Sequence, residues 1–295
     1  MGPGGRVVCV GDVMLDISAA LPGPLAMGSD TPAPISFGHG GSAANTAAWL
    51  AEQGVPCVFA GRVGDDPFGQ DAVAALRSHG VITEVSTDPD TATGICLVLV
   101  SPDGERTMVP SAGANATLSA ADLGDDLLTA SDHLHLSGYT LLNPGSRAAA
   151  LFALRLAGSV GASVSVDAAS AGPILALGAQ RFLDWLEPGV LLLANTDELA
   201  ALTGAGDQDA GLEALVARQL SVVLKRGSAG SVLATAAGRW HSAAEPAEVL
   251  DTTGAGDAFA AGLLAALWNG AKLIEALVEG NRLGATAVGR LGGRP

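Results

Sequence analysis

The chain has 295 residues, of which 48% are hydrophobic and 15% are charged, and its formal net charge is −15. This length and apolar fraction suit one large domain with a sizeable buried core. The negative charge disfavours binding to a nucleic-acid backbone, but a small anionic ligand remains possible if amides, a few cations and Mg²⁺ hold it.

The first predicted element is a buried strand from Arg6 to Gly11, whose final glycine provides a turn. Asp12 and Asp16 follow this strand. Ligands of open α/β sheets lie outside the carboxyl ends of strands, so both carboxylates fall in the expected crevice. Each could accept hydrogen bonds from two sugar hydroxyls, and a turn or capping role is the alternative for both.

A proline-rich segment from Ser18 to Gly38 comes next and predicts extended edge segments of a small lid sheet. A flexible glycine turn then opens a helix predicted over residues 43–53. Gly40 and Gly41 would let a ligand approach the backbone, because they carry no side chain. Asn45 lies one turn into this helix.

A hairpin interrupts the alternation of strands and helices. After a strand over 55–61 and a helix ending near His79, two strand-like runs over 93–100 and 106–110 are joined by the turn residues 101–105. We expect this hairpin to complete a lid formed by about 14–40 and 93–111. Closure of a lid would exclude water from a group-transfer reaction.

The remainder of the chain alternates strands with helices, which predicts a mostly parallel central sheet with right-handed crossovers and helices on both faces. We predict one domain over residues 1–295, with no linker long enough to divide it. The predicted strands are 133–136, 163–167, 190–194 and 221–225, and the predicted helices are 144–157, 178–186, 198–202, 212–219, 258–268, 273–280 and 281–288.

Two polar segments follow predicted strands in this region. Asn195 and Glu198 could orient Mg²⁺ or its waters, and they also have the spacing of a capping box; both roles can hold at once. Lys225, Gly227 and Gly230 lie in a cationic, glycine-containing segment that suits the phosphates of a nucleotide. A solvated hairpin turn is the alternative for that segment.

The stretch from Asp251 to Phe259 is where we place the chemistry. Gly254, Ala255 and Gly256 expose backbone N–H groups at the start of a helix, which is a ready anion site. Asp257 puts a carboxylate at its mouth, where it could accept a proton from a hydroxyl while the amides hold phosphate oxygens. An N-cap role for Asp257 is the alternative.

The candidate residues share a position. Asp16, Gly41, Asn195, Lys225 and Asp257 are each predicted to lie just after a strand, which describes one crevice along the carboxyl edge of the sheet. A Rossmann-type oxidoreductase is discounted, because no Gly-x-Gly-x-x-Gly follows the first strand.

With these motifs in order, the chain resembles the ribokinase-like (PfkB) carbohydrate kinase family across nearly its whole length. The most specific match is the C-terminal signature Asp-Thr-Thr-Gly-Ala-Gly-Asp-Ala-Phe at 251–259. Further matches are Gly11-Asp12 with Asp16, Gly40-Gly41 with Asn45, the glycine-rich segment 61–69, Gly113-Ala114-Asn115, and Asn195 with Glu198.

The resemblance implies a three-layer ribokinase-like α/β fold and transfer of the γ-phosphoryl group of ATP to a sugar or nucleoside hydroxyl. Asp257 would be the base, and the amides of Gly254, Ala255 and Gly256 would form the anion hole. The implied roles of other residues are acceptor binding for Asp12, Asp16, Gly40, Gly41 and Asn45; organisation of Mg²⁺ and phosphate for Asn195 and Glu198, with Mg²⁺ held through water; and lining of the ATP site for Lys225, Gly227, Gly230 and Asn281. The resemblance also implies K⁺ at Asp251 and Thr253, with further ligands from the Gly292-Gly293 turn.

Departures from the family pattern bear on the acceptor. Ser42 stands where ribokinase proper and several sugar-phosphate kinases carry lysine, which weakens the case for a phosphorylated acceptor. Aromatic residues make up only 4% of the chain, which disfavours stacking of a base by several rings, although Phe37 or His39 could supply one. A small sugar is therefore the expected acceptor, with a nucleoside as the alternative. A non-catalytic sugar- or nucleotide-binding regulator is less consistent with an intact Asp257.

Cys9, Cys57 and Cys96 are isolated in apolar runs, which is typical of reduced core thiols in a cytoplasmic protein. No apolar run reaches the roughly 18 to 20 residues that a membrane helix needs. The exposed strand edges of the predicted lid also suggest a homodimer formed through it.

Overall fold

The structure, a computed structural model, describes residue 2 and residues 4–102 and 106–295. Residues 103–105 of the predicted hairpin turn lie outside the described residues. The strands are β1 (Val7–Val10), β2 (Met14–Ala20), β3 (Ile35–Gly40), β4 (Cys57–Gly64), β5 (Ile82–Asp88), β6 (Gly94–Val100), β7 (Arg106–Ser111), β8 (His133–Ser137), β9 (Ser163–Asp167), β10 (Leu191–Asn195), β11 (Ser221–Lys225), β12 (Ser231–Thr235) and β13 (Gly238–Ser242). The α-helices are α1 (Ser42–Glu52), α2 (Pro67–Ser78), α3 (Gly138–Leu142), α4 (Arg147–Val160), α5 (Ala171–Leu177), α6 (Ala179–Leu183), α7 (Thr196–Thr203), α8 (Gln208–Ala217), α9 (Ala255–Trp268) and α10 (Leu273–Val288).

The central sheet has nine strands in the order β13-β12-β11-β10-β9-β8-β1-β4-β5. Neighbouring strands are parallel except at β11–β12 and β12–β13, which are antiparallel. The chain builds β4 and β5 on one side of β1 and the strands from β8 onward on the other side. Such a reversal of strand order opens a crevice at the carboxyl ends, where open α/β sheets bind ligands. Asp12 follows β1 at this point.

Helices cover both faces of the central sheet, so its strands are buried on both sides. Along β1, Val8 and Val10 pack into a core with side chains from α4 to α8. Val7 and Cys9 point to the other face, where they pack with side chains from α1, α2, α9 and α10. This arrangement confirms the predicted fold class and brings the amino ends of α1 and α9 to the same face.

A second sheet has four strands in the order β3-β2-β6-β7. The pairing register puts Asp16, Cys96 and Pro110 in one row on the face that borders the large cavity described below. We call that face the inner face of the lid sheet. The adjacent row of four apolar residues lies on the outer face and consists of Ile17, Phe37, Leu97 and Val109.

Several predicted element bounds were wrong. The helices predicted over 273–280 and 281–288 are the single helix α10, because Gly280 packs against the Phe259 ring instead of ending a helix. The helix predicted over 178–186 is replaced by α5 and α6, which meet at Gly178, where φ is 94°. The helices predicted over 144–157 and 212–219 are α4 and α8, which begin at Arg147 and Gln208.

Strands β5 and β13 were not predicted. The hairpin alternative for the segment after Lys225 is realised, since β11 and β12 pair in antiparallel fashion across residues 226–230. Within the described residues, no helix combines the length and the apolar character needed to cross a bilayer.

Candidate active site

The amino end of α9 forms the centre of the site. Its N-cap residue is Gly254, with φ 71° in the left-handed region that glycine adopts readily. A Cβ atom at this position would lie 2.5 Å from the backbone of Gly293, so a larger residue is excluded on two grounds. The first amides of a helix have no intrahelical acceptor, and here they belong to Ala255 and Gly256. Local backbone geometry therefore fixes the conformation that the predicted anion site would need.

Asp257 lies in the first turn of α9, so it is not the N-cap. Its Oδ1 accepts a hydrogen bond from Ser42 Oγ at 2.8 Å, and its Oδ2 accepts one from Asn45 Nδ2 at 3.0 Å. Burial raises the pKa of Asp257 to about 7, although both hydrogen bonds and Lys225 oppose this shift. A carboxyl group with a pKa near neutrality is well suited to accept a proton during catalysis.

The two glycines before α1 are required by close contacts. Gly41 has φ 94°, and a Cβ atom there would lie 2.4 Å from the carbonyl oxygen of Asp12. A Cβ atom on Gly40 would lie 2.3 Å from Oδ1 of Asp16. Asp12 in turn accepts the backbone N–H of Ser42 at 2.8 Å, so its carboxylate caps α1. The capping alternative for Asp12 is thus realised in the structure.

Asp16 lies within β2 and not after a strand, which corrects the predicted placement. It still reaches the crevice, because its side chain is on the inner face of the lid sheet. Burial raises the pKa of Asp16 to about 6, while the charge of Arg294 acts in the opposite direction. A carboxylate held over a glycine turn in this way could accept hydrogen bonds from an acceptor.

Lys225 ends β11 and provides a buried positive charge next to α9. Its Nζ lies 2.6 Å from Oδ2 of Asp167, at the end of β9. Burial lowers the pKa of Lys225, but Asp167 and Glu198 raise it more strongly, so the net shift is upward. A Cβ atom on Gly256 would lie 3.3 Å from this Nζ, which places the ammonium group at the anion site. The charge and the helix amides can therefore act on the same phosphate.

Asn195 and Glu198 form the predicted capping box at the start of α7. Asn195 Oδ1 accepts the Glu198 N–H at 2.8 Å, and the Glu198 carboxylate accepts the backbone and side-chain N–H groups of Asn195, each at 2.8 Å. Burial raises the pKa of Glu198, and Lys225 opposes this. The carboxylate oxygens keep lone pairs free, and both residues border the large cavity. The donor set fits Mg²⁺ held mainly by water and substrate phosphates.

Two cavities adjoin at the amino end of α9. The larger has a volume of about 790 Å³, and the smaller has one of about 550 Å³. Both are lined by Lys225, Gly227, Thr252 and Gly256. Of the predicted site residues, the larger cavity also collects Asp12, Asp16, Gly41, Asn45, Asn195, Glu198, Thr253, Gly254 and Asp257, and the smaller also collects Gly230, Ala255 and Asn281.

Asp251 lies beside this junction and does not line either cavity. Its Oδ1 accepts the Thr253 N–H at 2.7 Å, and its Oδ2 accepts the Gly292 N–H at 2.8 Å. Arg106 of β7 forms an ion pair with Asp251 and a hydrogen bond with Thr252. Burial raises the pKa of Asp251, but the hydrogen bonds and Arg106 lower it by a larger amount, so the net shift is downward.

Four residues of the site were not predicted to be functional. Ser42 was noted only as a departure from the family, yet its hydroxyl contacts Asp257. Asp167 was predicted only as the last residue of a strand, and Arg106 only as part of the lid hairpin. Tyr139 follows β8 and lines the larger cavity; its position after a strand is the signal that could have revealed it.

The predicted stacking roles of Phe37 and His39 were wrong. Both side chains are on the outer face of the lid sheet, and Phe37 is 69% exposed. His39 instead contacts Asp71 of α2, with its Nε2 2.8 Å from Oδ2 of that residue. The aromatic side chain that the structure brings into the larger cavity is Tyr139.

Comparisons with known proteins agree with this geometry. The family model described as pfkB family carbohydrate kinase matches residues 5–295. An ATP-dependent ribose-1-phosphate kinase of Halopiger xanaduensis is 34% identical over 86% of this chain and 82% of its own. The crystal structure of adenosine kinase from Sinorhizobium meliloti has a TM-score of 0.90 at 28% identity and covers 99% of this chain and 96% of its own.

A second solved structure contains a nucleotide. A protein of E. coli described as ribokinase II, in complex with ATP and Mg²⁺, has a TM-score of 0.85 at 25% identity and covers 98% of this chain and 94% of its own. The fold and the family match lead to one conclusion. The chain belongs to the pfkB family of carbohydrate kinases, which are phosphotransferases with an alcohol group as acceptor.

Proposed function

We propose that this protein transfers the γ-phosphoryl group of ATP to a hydroxyl, most simply a hydroxymethyl, of a small sugar that carries no phosphate. One observation carries the proposal. The carboxylate of Asp257, with a pKa of about 7, lies in the first turn of α9, where the two cavities adjoin. This geometry supports proton removal from an acceptor and stabilisation of the transferred group at the same point.

Each part of the site has a role in this reaction. Asp257 accepts the proton of the attacking hydroxyl. The amides of Gly254, Ala255 and Gly256, together with Lys225, stabilise the negative charge of the transferred phosphoryl group. Positioning contributes as much as charge, because phosphoryl transfer needs little covalent chemistry from the protein.

The larger cavity is the proposed acceptor site. Asp12, Asp16, Gly41 and Asn45 line it together with Asp257 and would hold acceptor hydroxyls. Gly40 does not line the cavity, but it packs against the Asp16 carboxylate and would support the same site. In the part of the chain that the structure describes, Lys225 is the one cationic side chain among the residues that line this cavity, and it is paired with Asp167. A phosphate on the acceptor would therefore meet carboxylates with no free cation to neutralise it.

The smaller cavity is the proposed site for the nucleotide. Glycines at 227 and 230 let the backbone come close to a ligand there, and the amide of Asn281 donates to the carbonyl of Ala243 at 3.0 Å, which fixes the cavity wall. Glu198, with Asn195, would hold Mg²⁺ through water. The ion would neutralise charge on the phosphates. The E. coli relative was solved with ATP and Mg²⁺, which supports a site for both on this fold.

We further propose that K⁺ binds beside the anion site, at Asp251 and Thr253 with the Gly292-Gly293 turn. The Asp251 carboxylate is partly buried, and its lowered pKa keeps it ionised, so it can attract a cation. Its contact with Gly292 joins it to that turn. Its ion pair with Arg106 means that K⁺ and the guanidinium group would share one carboxylate. The chemistry of the donors therefore fits K⁺ in competition with Arg106.

A nucleoside acceptor is the second candidate, and the walls of the larger cavity favour it. Many of its lining residues are apolar, which a free sugar does not require. Tyr139 provides an aromatic surface in the cavity. The apolar lining residues include Met14, Cys96, Met108, Pro110, Ala112, Leu142, Pro144, Ala169 and Pro173.

A screen of acceptors tests the function. ADP release would be measured with ATP and Mg²⁺ over free pentoses, free hexoses, keto-sugar acids, sugar phosphates and nucleosides, with Asp257→Asn as the matched inactive control. We expect one unphosphorylated class to give turnover that depends on Asp257. Turnover only with sugar phosphates would contradict the acceptor class, and no turnover with tight binding of sugar or nucleotide would indicate a non-catalytic regulator.

The organisation of the molecule follows from the same proposal. We propose a single kinase domain over residues 1–295 in a cytoplasmic protein, with the four-stranded sheet as its lid. The free, buried cysteines support a reducing compartment. We also propose a homodimer formed through the lid, because β3 and β7 are edge strands and the outer face exposes Phe37 and Val109. Light scattering of the wild type and Phe37→Asp would test the dimer.

A further inference from the structure

We propose that Arg294 is a positioning residue for catalysis, which fixes the side-chain amide of Asn45 so that its NH₂ group faces Asp257. The inference rests on the proposed role of Asp257 as the base. Arg294 itself does not line the cavities and touches Asp257 only through Asn45.

A continuous series of contacts joins Arg294 to the base. Arg294 Nε donates to Asn45 Oδ1 at 3.3 Å, and Asn45 Nδ2 donates to Asp257 Oδ2 at 3.0 Å. Arg294 Nη2 also donates to the carbonyl of Gly40 at 3.1 Å. Arg294 is 9% exposed and Asn45 is 4% exposed, so water has little access to replace these partners.

The end of the chain holds Arg294 in place. Trp49 Nε1 donates to the carbonyl of Gly293 at 3.0 Å, and the Gly292 N–H donates to Asp251. Gly293 packs directly against Asn45, because a Cβ atom on this glycine would lie 2.5 Å from Asn45 Nδ2. These contacts hold the backbone just before Arg294, and this backbone directs the guanidinium group toward Asn45.

The orientation of the Asn45 amide determines which form of Asp257 is stabilised. With its NH₂ group toward Asp257, the amide can donate to the ionised carboxylate, which only accepts hydrogen bonds. A flipped amide would present its oxygen, which can bond only to a protonated carboxyl group. Arginine is exclusively a donor, so its partner must be the amide oxygen. Arg294 therefore selects the orientation that favours the ionised base.

Other charged groups act on the same carboxyl and must be separated from this effect. Lys225 lowers the pKa of Asp257 and Asp167 raises it, and Arg294 also lowers the pKa of Asp16 directly. The titratable groups that face this region from the surrounding elements are Asp12, Asp16, Tyr139, Asp167, Glu198, Lys225 and Asp251, and Asp71 faces Arg294. A direct charge effect of Arg294 would not require Asn45, whereas the proposed effect does.

A double-mutant cycle with Arg294→Met and Asn45→Ala tests the inference. The pKa of Asp257 would be read by ¹³C NMR of carboxyl-labelled aspartate, with the Asp257 signal assigned by its loss in Asp257→Asn. We expect Arg294→Met to raise this pKa by about one unit, the size expected for loss of a hydrogen bond to a charged group. In the Asn45→Ala background, Arg294→Met should cause no further shift.

The pH profile of turnover provides the second readout. The acid limb of kcat/KM should move to higher pH by the same amount in Arg294→Met, while Arg155→Met, a matched change of an exposed arginine in α4, should leave it in place. If Arg294→Met does not fold, Arg294→Gln replaces it. The amide of glutamine can donate or accept a hydrogen bond, so it does not fix the orientation of the Asn45 amide. An unchanged pKa in a folded variant, or a shift that persists without Asn45, would overturn the inference. The NMR measurement needs no turnover. If the wild type is inactive but Arg294→Met shows the expected NMR shift, the proposed function is refuted and the positioning of Asn45 by Arg294 is not.

Discussion

The ammonium group of Lys225 lies 2.6 Å from Oδ2 of Asp167, and this contact joins the carboxyl ends of β11 and β9 across the intervening strand β10. The pair fixes a positive charge at the start of α9, where the amides of the anion site begin. Buried ion pairs stabilise a fold little, but loss of one partner leaves an uncompensated charge. The structural role of Lys225 can therefore be separated from its proposed catalytic role.

Lys225→Met should lower the free energy of unfolding by about 3 to 5 kcal/mol, because Asp167 and Glu198 lose their buried counter-ion. Urea unfolding would measure this loss. The double variant Lys225→Met with Asp167→Asn should regain most of the stability, since one buried charge is removed with the other. Its kcat should remain low, because no cation replaces the ammonium group at the anion site. A double variant with normal kcat would contradict the catalytic role.

Asp257→Asn should reduce kcat by at least about 100-fold, the usual size of a general-base contribution. The substitution keeps the shape of the side chain but removes the group that accepts the proton. ATP affinity, measured by calorimetry, should stay nearly unchanged, and Asp30→Asn in the exposed lid loop provides the matched control. A kcat within about tenfold of wild type, or about 1.4 kcal/mol of barrier, would refute the assignment of the base.

The activity should depend on pH through the same residue. Because the folded pKa of Asp257 is about 7, kcat/KM should reach its plateau above pH 7 and fall about tenfold per unit below it as the base is protonated. Below pH 6 the slope should steepen, since Asp16, with a pKa of about 6, is protonated as well. Ser42→Ala removes a donor to the ionised carboxylate of Asp257. It should move the limb that Asp257 sets near pH 7 to higher pH. Ser42→Thr keeps the hydroxyl and should behave like wild type.

Asp16→Ala should raise the acceptor KM by about 10- to 100-fold, which corresponds to the loss of one hydrogen bond between a charged and a neutral group. The KM for ATP should change little, because Asp16 lines only the larger cavity. Steady-state kinetics with each substrate varied in turn would measure both constants. Asp30→Ala is again the control. An unchanged acceptor KM would remove Asp16 from the binding site.

The glycine motifs made much of the site predictable from sequence. Gly41 and Gly254 have left-handed backbones and close contacts that only glycine tolerates, so local sequence alone marks both turns. The alternation of strands and helices likewise predicted the parallel sheet. Strand β5 was missed because Glu84 and Thr87 make this edge strand polar, which hides the apolar pattern of a buried strand.

The partners of the site residues could not be predicted in this way. Asn45 and Asp257 are 212 residues apart, and Lys225 and Asp167 are 58 apart, so their contacts depend on the sheet order and not on spacing. Phe37 shows the same limit on a smaller scale. Its aromatic ring suits a stacking role, but the register of β2 and β3 places the ring on the outer face of the lid sheet.

Arg106 and K⁺ are expected to compete for the carboxylate of Asp251, which leads to a prediction about the cation dependence of turnover. Arg106→Met leaves Asp251 with only the uncharged donors of Thr253 and Gly292, so the negative charge there is no longer neutralised by the lid. Activation by K⁺ should therefore become stronger in Arg106→Met than in wild type.

The ratio of rates in potassium chloride and in tetramethylammonium chloride at equal ionic strength would measure this activation, because the organic cation is too bulky for a site of this kind. Arg77→Met, in the exposed part of α2, is the control for loss of an arginine elsewhere. If the ratio is the same in all three proteins, Arg106 does not compete with K⁺. If no protein responds to K⁺, the proposed ion site itself is wrong, since removal of the guanidinium group gives the ion its best opportunity to bind Asp251.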